Sequence, residues 1–155
     1  MTIEILDLKK RFAEEKYEIL KCIKKVLKKG NLILTSEVES FEKSICKYTG
    51  SKYCLGVNSG TDALMISLWS AGIKKGDEVI TSPISFIATS NSICHIGATP
   101  VFVDVGNDLN INPDLIEGAI TKKTKAIMPV HWTGRVCKMD KILKIAGRHN
   151  LLVIE

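Results

Sequence analysis

"GDEVITSPISFIATSNSICHIGATPVFVDV", residues 76–105, sets two short β-rich runs on either side of a helical stretch. The runs are "EVITS" and "TPVFVDV", and residues 87–96 between them read as a helix. Strand, helix and strand in that order form a βαβ unit, whose crossover makes the two strands parallel. The same rhythm continues outward. "YCLGV" precedes the unit and "AIMPV" and "LLVIE" follow it, with helical stretches at 61–71, 113–120 and 139–149. Short apolar runs separated by helices predict an α/β fold: three α/β/α layers, a mostly parallel sheet with helices on both faces. No repeat, linker or low-complexity tract interrupts it.

Upstream the period changes. Residues 12–29 carry Ile19, Leu20, Ile23, Val26 and Leu27 at helical spacing, and residues 38–48 carry Val38, Phe41, Ile45 and Tyr48. Thr35 or Ser36 can cap the second of these helices.

At 155 residues the chain suits one domain, and could bury roughly 70% of its unfolded surface. Its 45% apolar and 25% charged content is that of a globular protein. The net charge of +5 is interleaved with acids, as in "KKRFAEEKYEILKCIKKVLKK" at 9–29, so a solvated helix face is favoured over a nucleic-acid surface. Five single cysteines, with no C-x-x-C pair, argue against a zinc site or a disulfide framework. "MTIEILDLKKRF" places charges where a secretory leader needs an apolar core, and no run approaches a membrane span. The expected setting is the cytoplasm, with reduced thiols.

"VNSGTDAL", residues 57–64, holds the candidate chemistry. A strand, a turn and a helix opening leave the first helical amides without intrahelical partners, where the helix dipole gathers positive charge. An anion suits that place. Gly60 would let backbone approach a phosphate closely, and the hydroxyls of Ser59 and Thr61 can donate to it. Alternatively, Ser59 or Thr61 only caps the helix and Asp62 complements its dipole. Asp62 opposes a phosphate unless its carboxylate turns aside.

"NSGTDAL", "GDEVITSPISFIATSNSICHIGATPVFVDV", "ITKKTKAIMPVHWTGRVCKMDKI" and "LLVIE", in this order and spacing, closely resemble the DegT/DnrJ/StrS family of sugar aminotransferases. The resemblance runs from "DLKKRF" to the last residue, and "GATPVFVDV" is its most characteristic segment. It implies the pyridoxal-phosphate fold of aspartate aminotransferase. Residues 1–155 would then be the N-terminal helices and the first part of an incomplete large domain, with the rest of that domain and a C-terminal small domain absent.

By this resemblance Ser59, Gly60, Thr61 and Asp62 form the cradle of the cofactor phosphate. Phe86, in "SPISFIAT", falls where the family stacks an aromatic ring on the pyridine face, although alone it reads as a core residue at a strand-to-helix junction. His131, after "AIMPV", falls near the cofactor ring or substrate. A histidine at the carboxyl end of a parallel strand suits ligand binding, and a merely hydrogen-bonded one fits equally. His95 and His149 read as structural. Thr35-Ser36 replaces the Gly-Pro of many relatives. "VHWTGR" replaces a commoner "VHLYG" segment, so Trp132 and Arg135 have no assigned substrate contact; Arg135 can meet an anion or simply be solvated.

Relatives continue past "LLVIE" to an Asp that pairs with the pyridinium nitrogen and a Lys that carries the cofactor, so the resemblance places no catalytic residue within these 155. It also makes "CLGV" an end strand whose neighbour comes from the later chain, so residues 1–155 alone are expected to be marginal, with a bare apolar edge. The implied activity is transfer of an amino group from glutamate to a nucleotide-linked keto-sugar, through pyridoxamine phosphate, in a homodimer. A sugar dehydratase of the same family and a catalytically inactive fragment are the alternatives. A nicotinamide-binding domain is set aside because "NSGTDAL" lacks G-x-G-x-x-G.

Overall fold

In the computed structural model, which describes residues 5–155, four of the β-rich runs pair. β1 (Glu78–Thr81), β2 (Thr99–Phe102), β3 (Thr124–Met128) and β4 (Leu152–Val153) form a parallel sheet of order β2-β1-β3-β4. Successive side chains of a strand point to opposite faces, and this divides the core into two layers. Val79, Ala126 and Met128 pack against Leu68 of α3 (Gly60–Ser70) and Ile93 of α4 (Ala88–His95). Their neighbours Ile80 and Ile127 point the other way, onto Ile116 of α5 (Pro113–Ile116) and Ile142, Ile145 and Ala146 of α6 (Met139–His149). The predicted three-layer α/β/α fold with a parallel sheet is thereby present.

The connections set where a ligand can sit. β1 passes through α4 to its neighbour β2, and the chain then crosses back through α5 to lay β3 on the other side of β1. α4 covers one face and α6 the other. Where consecutive connections diverge to opposite faces, a crevice opens beyond the carboxyl ends of the strands, here those of β1 and β3.

The helices differ in detail from the sequence expectation. The predicted helix at 113–120 stops being α-helical after Ile116 and tightens into a 3-10 turn, Glu117–Ala119. Asn112 and Pro113 start it well, with the Asn112 side chain accepting from the Asp114 amide at 3.1 Å. Gly118 then weakens its continuation. "YCLGV" forms no strand. A strand exists only as a member of a ladder, and among the described residues no segment pairs with it.

Contacts divide the chain into Met1–Gly56 and Val57–Glu155. The first unit holds α1 (Leu8–Lys29) and α2 (Ser36–Thr49), and neither helix buries a residue. α1 begins a turn earlier than its apolar period because the Asp7 carboxylate accepts the Lys10 amide at 2.8 Å. Thr35 occupies the N-cap position of α2 with extended backbone but gives no side-chain cap, and Ser36 lies inside the first turn. Residues 1–4 of the stretch read against a secretory leader lie outside the described residues. Among the described residues no helix is long and apolar enough to cross a membrane.

Lys29 and Glu37 form an ion pair between α1 and α2. The Lys29 hydrogen bond holds the Glu37 carboxyl at about 2, against an ordinary 4.5. A carboxyl lowered in the folded state contributes stability above its unfolded value and loses it as pH falls, here between about 4.5 and about 2. Lys29→Ala is expected to return the Glu37 titration, followed by side-chain NMR, toward 4.5. An unchanged titration would show that the pair does not form. The group is exposed, so the accompanying change in stability is small.

Candidate functional site

A helix that hands over through a short turn to the strand beneath it runs antiparallel to that strand. α3 ends at Ser70 and β1 begins at Glu78, so the N-terminus of α3 faces the end of the sheet where the strands finish. The segment after β1, with Phe86, and the segment after β3, with His131, leave from that same end. The topology therefore gathers the three candidate segments at one end of the sheet. No hydrogen bond joins them directly among the described residues.

At α3 the capping alternative is realised for Ser59. Its backbone is extended, and its Oγ accepts the Asp62 amide at 3.1 Å and donates to Asp62 Oδ2 at 2.9 Å. The Ser59 hydroxyl hydrogen is thus engaged, and the Asp62 carboxylate is turned onto Ser59. The amides of Gly60 and Thr61 and the Thr61 hydroxyl make no hydrogen bond among the described residues. A Cβ added at Gly60 would meet nothing within 4 Å, so internal packing does not require a glycine there. Two free amides, one free hydroxyl and a positive helix end suit a dianionic group.

Phe86 is 72% exposed, which removes the core-residue reading. It shares a cleft of about 320 Å³ with Ser82, Pro83, Ser85, Thr89 and Phe102. Buried Ser82 holds the start of this segment, its Oγ accepting the Ile84 amide at 3.1 Å. Ser85 and Thr89 join their hydroxyls at 2.7 Å. A large flat apolar ring is left facing outward beside the ends of β1 and β2.

His131 is half-buried and its ring is held at both nitrogens. Nδ1 accepts the Cys137 amide at 3.1 Å, and Nε2 lies 2.8 Å from Glu155 Oε2. The hydrogen-bonded alternative is therefore realised, just beyond the carboxyl end of β3. Asn110, almost completely buried, braces the loop that follows: its Oδ1 accepts the Trp132 amide at 2.8 Å and its Nδ2 donates to the Arg135 carbonyl at 3.0 Å. This bracket holds Thr133, at φ 52°, in the left-handed region that a threonine seldom adopts. The Arg135 side chain is exposed and forms no ion pair among the described residues.

Cys137 donates its thiol to the Val130 carbonyl at 3.2 Å. Burial pushes this thiol up, and the charges of Asp108 and Glu155 add to the shift, so it is a packing group and not a nucleophile. His95 bonds the Asn91 carbonyl, while His149 and Arg148 share Glu117 beside α5 and α6. Among the described residues no cluster of three or more His, Cys, Asp or Glu could hold a metal.

Glu155 and Asn110 carry no assignment from the sequence pattern. An acid directly after the apolar run "LLVI", where a parallel strand delivers its residues to the ligand end, is the signal that would have pointed to Glu155. Nothing local marks Asn110, whose partners lie more than twenty residues away.

Comparison with known proteins adds the relatives. A family model described as "DegT/DnrJ/EryC1/StrS aminotransferase family" matches residues 13–155. The chain is 41% identical over 99% of its length to UDP-2-acetamido-2-deoxy-3-oxo-D-glucuronate aminotransferase of Pseudomonas aeruginosa, and covers 43% of that protein. It is 44% identical over 99% of its length to dTDP-3-amino-3,6-dideoxy-alpha-D-galactopyranose transaminase of Aneurinibacillus thermoaerophilus, and covers 42% of it. Among solved structures, NtdA of Bacillus subtilis with bound cofactor PMP matches 92% of the chain with a TM-score of 0.90 and 41% identity, the match covering 33% of NtdA. The chain spans about a third to two fifths of the length of the curated relatives it matches.

Proposed function

The chain belongs to the DegT/DnrJ/EryC1/StrS aminotransferase family, and from that premise we propose that it is the amino-terminal segment of a sugar aminotransferase. The reaction moves the amino group of glutamate to a keto-sugar carried on a nucleotide, leaving 2-oxoglutarate. The observation that carries this reading is the pair of relatives named for aminotransfer on a UDP-linked and a dTDP-linked sugar, each aligned over 99% of this chain.

In the same proposal the cofactor is pyridoxal phosphate, with pyridoxamine phosphate as its amino-bearing form. When bound, it supplies an electron sink that lets the amino nitrogen change carbon partners. The residues present fit such a group. The Gly60 and Thr61 amides and the Thr61 hydroxyl hold the phosphate, and Ser59 and Asp62 keep the start of α3 rigid behind them. A hydrogen bond to a charged group contributes roughly 1.5–3 kcal/mol. The solvated Asp62 carboxylate opposes a dianionic phosphate by about 2 kcal/mol at 4 Å in water, less than the three hydrogen bonds together supply, so binding prevails. Phe86 covers one face of the pyridine ring and excludes water from it, and His131 lines the ring or substrate side. No catalytic residue is assigned within residues 1–155, which supply the N-terminal helices and the first part of the large domain. A cytoplasmic homodimer completes the proposal.

The test is amine transfer by the protein at its full natural length, given pyridoxal phosphate, glutamate and UDP- or dTDP-linked keto-sugars. Formation of 2-oxoglutarate together with the nucleotide amino-sugar is expected; 2-oxoglutarate with no aminated sugar from any of them overturns the reading. Gly60→Ala separates the cradle from the fold. It is expected to leave Tm unchanged or slightly raised, because the Cβ meets open space, and to weaken pyridoxal phosphate binding by about tenfold or more, because the Cβ holds the phosphate off the amides at a cost of about one charged hydrogen bond. Unchanged affinity would remove Gly60 from the site.

A further inference from the structure

We propose that Glu155 is a positioning residue that, together with the Cys137 amide, fixes His131 as its Nε2–H tautomer and leaves only the face of the imidazole ring for a ligand. The inference rests on the reading of His131 as part of the ligand site given above. Two independent contacts carry it. The Cys137 N–H, a donor that cannot reverse its role, points at Nδ1 from 3.1 Å, so Nδ1 is an acceptor without a proton. The single proton of a neutral imidazole then sits on Nε2. Its partner there, Glu155 Oε2 at 2.8 Å, is a carboxylate that only accepts. The two partners demand the same tautomer.

The anchors are firm. Cys137 is buried, with its thiol tied to the Val130 carbonyl, and buried Asn110 pins the loop between His131 and Cys137 at two backbone groups. Glu155 follows β4, which pairs with β3, the strand that delivers His131. An isolated exposed ion pair would fix little. Here the second nitrogen is held by main chain, and a proton placed on Nδ1 would break the bond from the Cys137 amide. His131 therefore offers a flat surface of fixed orientation.

Long-range proton–nitrogen correlation of the imidazole in isotope-labelled protein reads this directly. One bare Nδ1 and one protonated Nε2, with an observable Nε2–H, are expected. Averaged nitrogens or an Nδ1–H tautomer overturn the proposal, and this measurement needs no variant. Glu155→Gln keeps an acceptor oxygen and is expected to preserve the Nε2–H signal. Glu155→Ala is expected to speed its exchange with water by about tenfold, the loss of one hydrogen bond; exchange as slow as in the unmodified protein would overturn the role of Glu155. On adding pyridoxamine phosphate, the ring carbon-bound protons of His131 should shift while both nitrogens keep their types. A nitrogen that changes type overturns the ring-face assignment. An intact tautomer with no response to pyridoxamine phosphate leaves the Glu155 lock standing and instead overturns the placement of His131 beside the cofactor.

Discussion

Ile80→Ala is expected to lower stability by about 2–5 kcal/mol, and to lower Tm by roughly 4–20 °C. Ile80 is fully buried in β1, which is hydrogen-bonded to β2 on one side and β3 on the other, and it stands in register with Ile127. Its side chain packs into the layer formed by Ile116, Ile142 and Ile145. Because both flanking strands are fixed by ladder bonds, the space left by the lost carbons cannot collapse, and the cavity term adds to the lost burial. That is a large share of the 5–15 kcal/mol that holds a typical domain together. Ile80→Val removes one methyl group and should cost only about 0.5–1.5 kcal/mol. Leu143→Ala, on the exposed side of α6, is the control and should stay within about 0.5 kcal/mol. Thermal denaturation of the three variants is the measurement. An Ile80→Ala shift no larger than that of the control would mean that β1 does not lie between the two helical layers.

The second large effect is expected at Asn110. Its amide is 1% exposed and satisfies two backbone groups at once, the Trp132 N–H and the Arg135 carbonyl. Asn110→Ala leaves both without their partner, and because the two bonds are only part-buried the cost lies toward the lower end of about 1–3 kcal/mol for each. Asn110→Asp keeps an acceptor for Trp132 but points a second oxygen at the Arg135 carbonyl, and it brings a negative charge near Asp108, whose Oδ1 accepts the backbone N–H of Asn110 at 3.3 Å. The aspartate variant should therefore be at least as destabilised as alanine, although it is closer in shape. Hydrogen exchange localises the effect. The amides of residues 132–137 should exchange much faster in both variants, while those of β1 change only in proportion to the global loss. Equal changes in the two places would show that Asn110 braces the core and not the His131 loop.

The sheet was readable from the sequence because its signal is local. "EVITS", "AIMPV" and the helix Met139–His149, whose bounds match the expectation, carry their periodicity in a few consecutive residues. Ser59 was legible as a cap for the same reason. The pairings that shape the site were not. His131 meets Glu155 and Cys137, and Asn110 meets Trp132 and Arg135, across gaps that no local pattern spans. Phe86 was ambiguous because an aromatic at a strand-to-helix junction looks the same whether it turns inward or outward, and only its exposure decides. "YCLGV" reads as β by composition, yet composition supplies no partner, so these residues form no ladder.

The strand order β2-β1-β3-β4 also has a consequence in time. β1 is an interior strand, yet both its neighbours come later in the chain. As the polypeptide leaves the ribosome, β1, α4 and β2 can close first as a short-range βαβ unit. The opposite flank of β1 then waits until Thr124–Met128 has emerged and α5 has carried the chain back across. At about 5–20 residues per second, that interval lasts on the order of seconds. Throughout it, a half-built sheet presents Glu78–Thr81 to whatever else is nearby. The time for which this flank of β1 stays open to mispairing, and to capture by chaperones, is therefore set by the length of the crossover between β2 and β3.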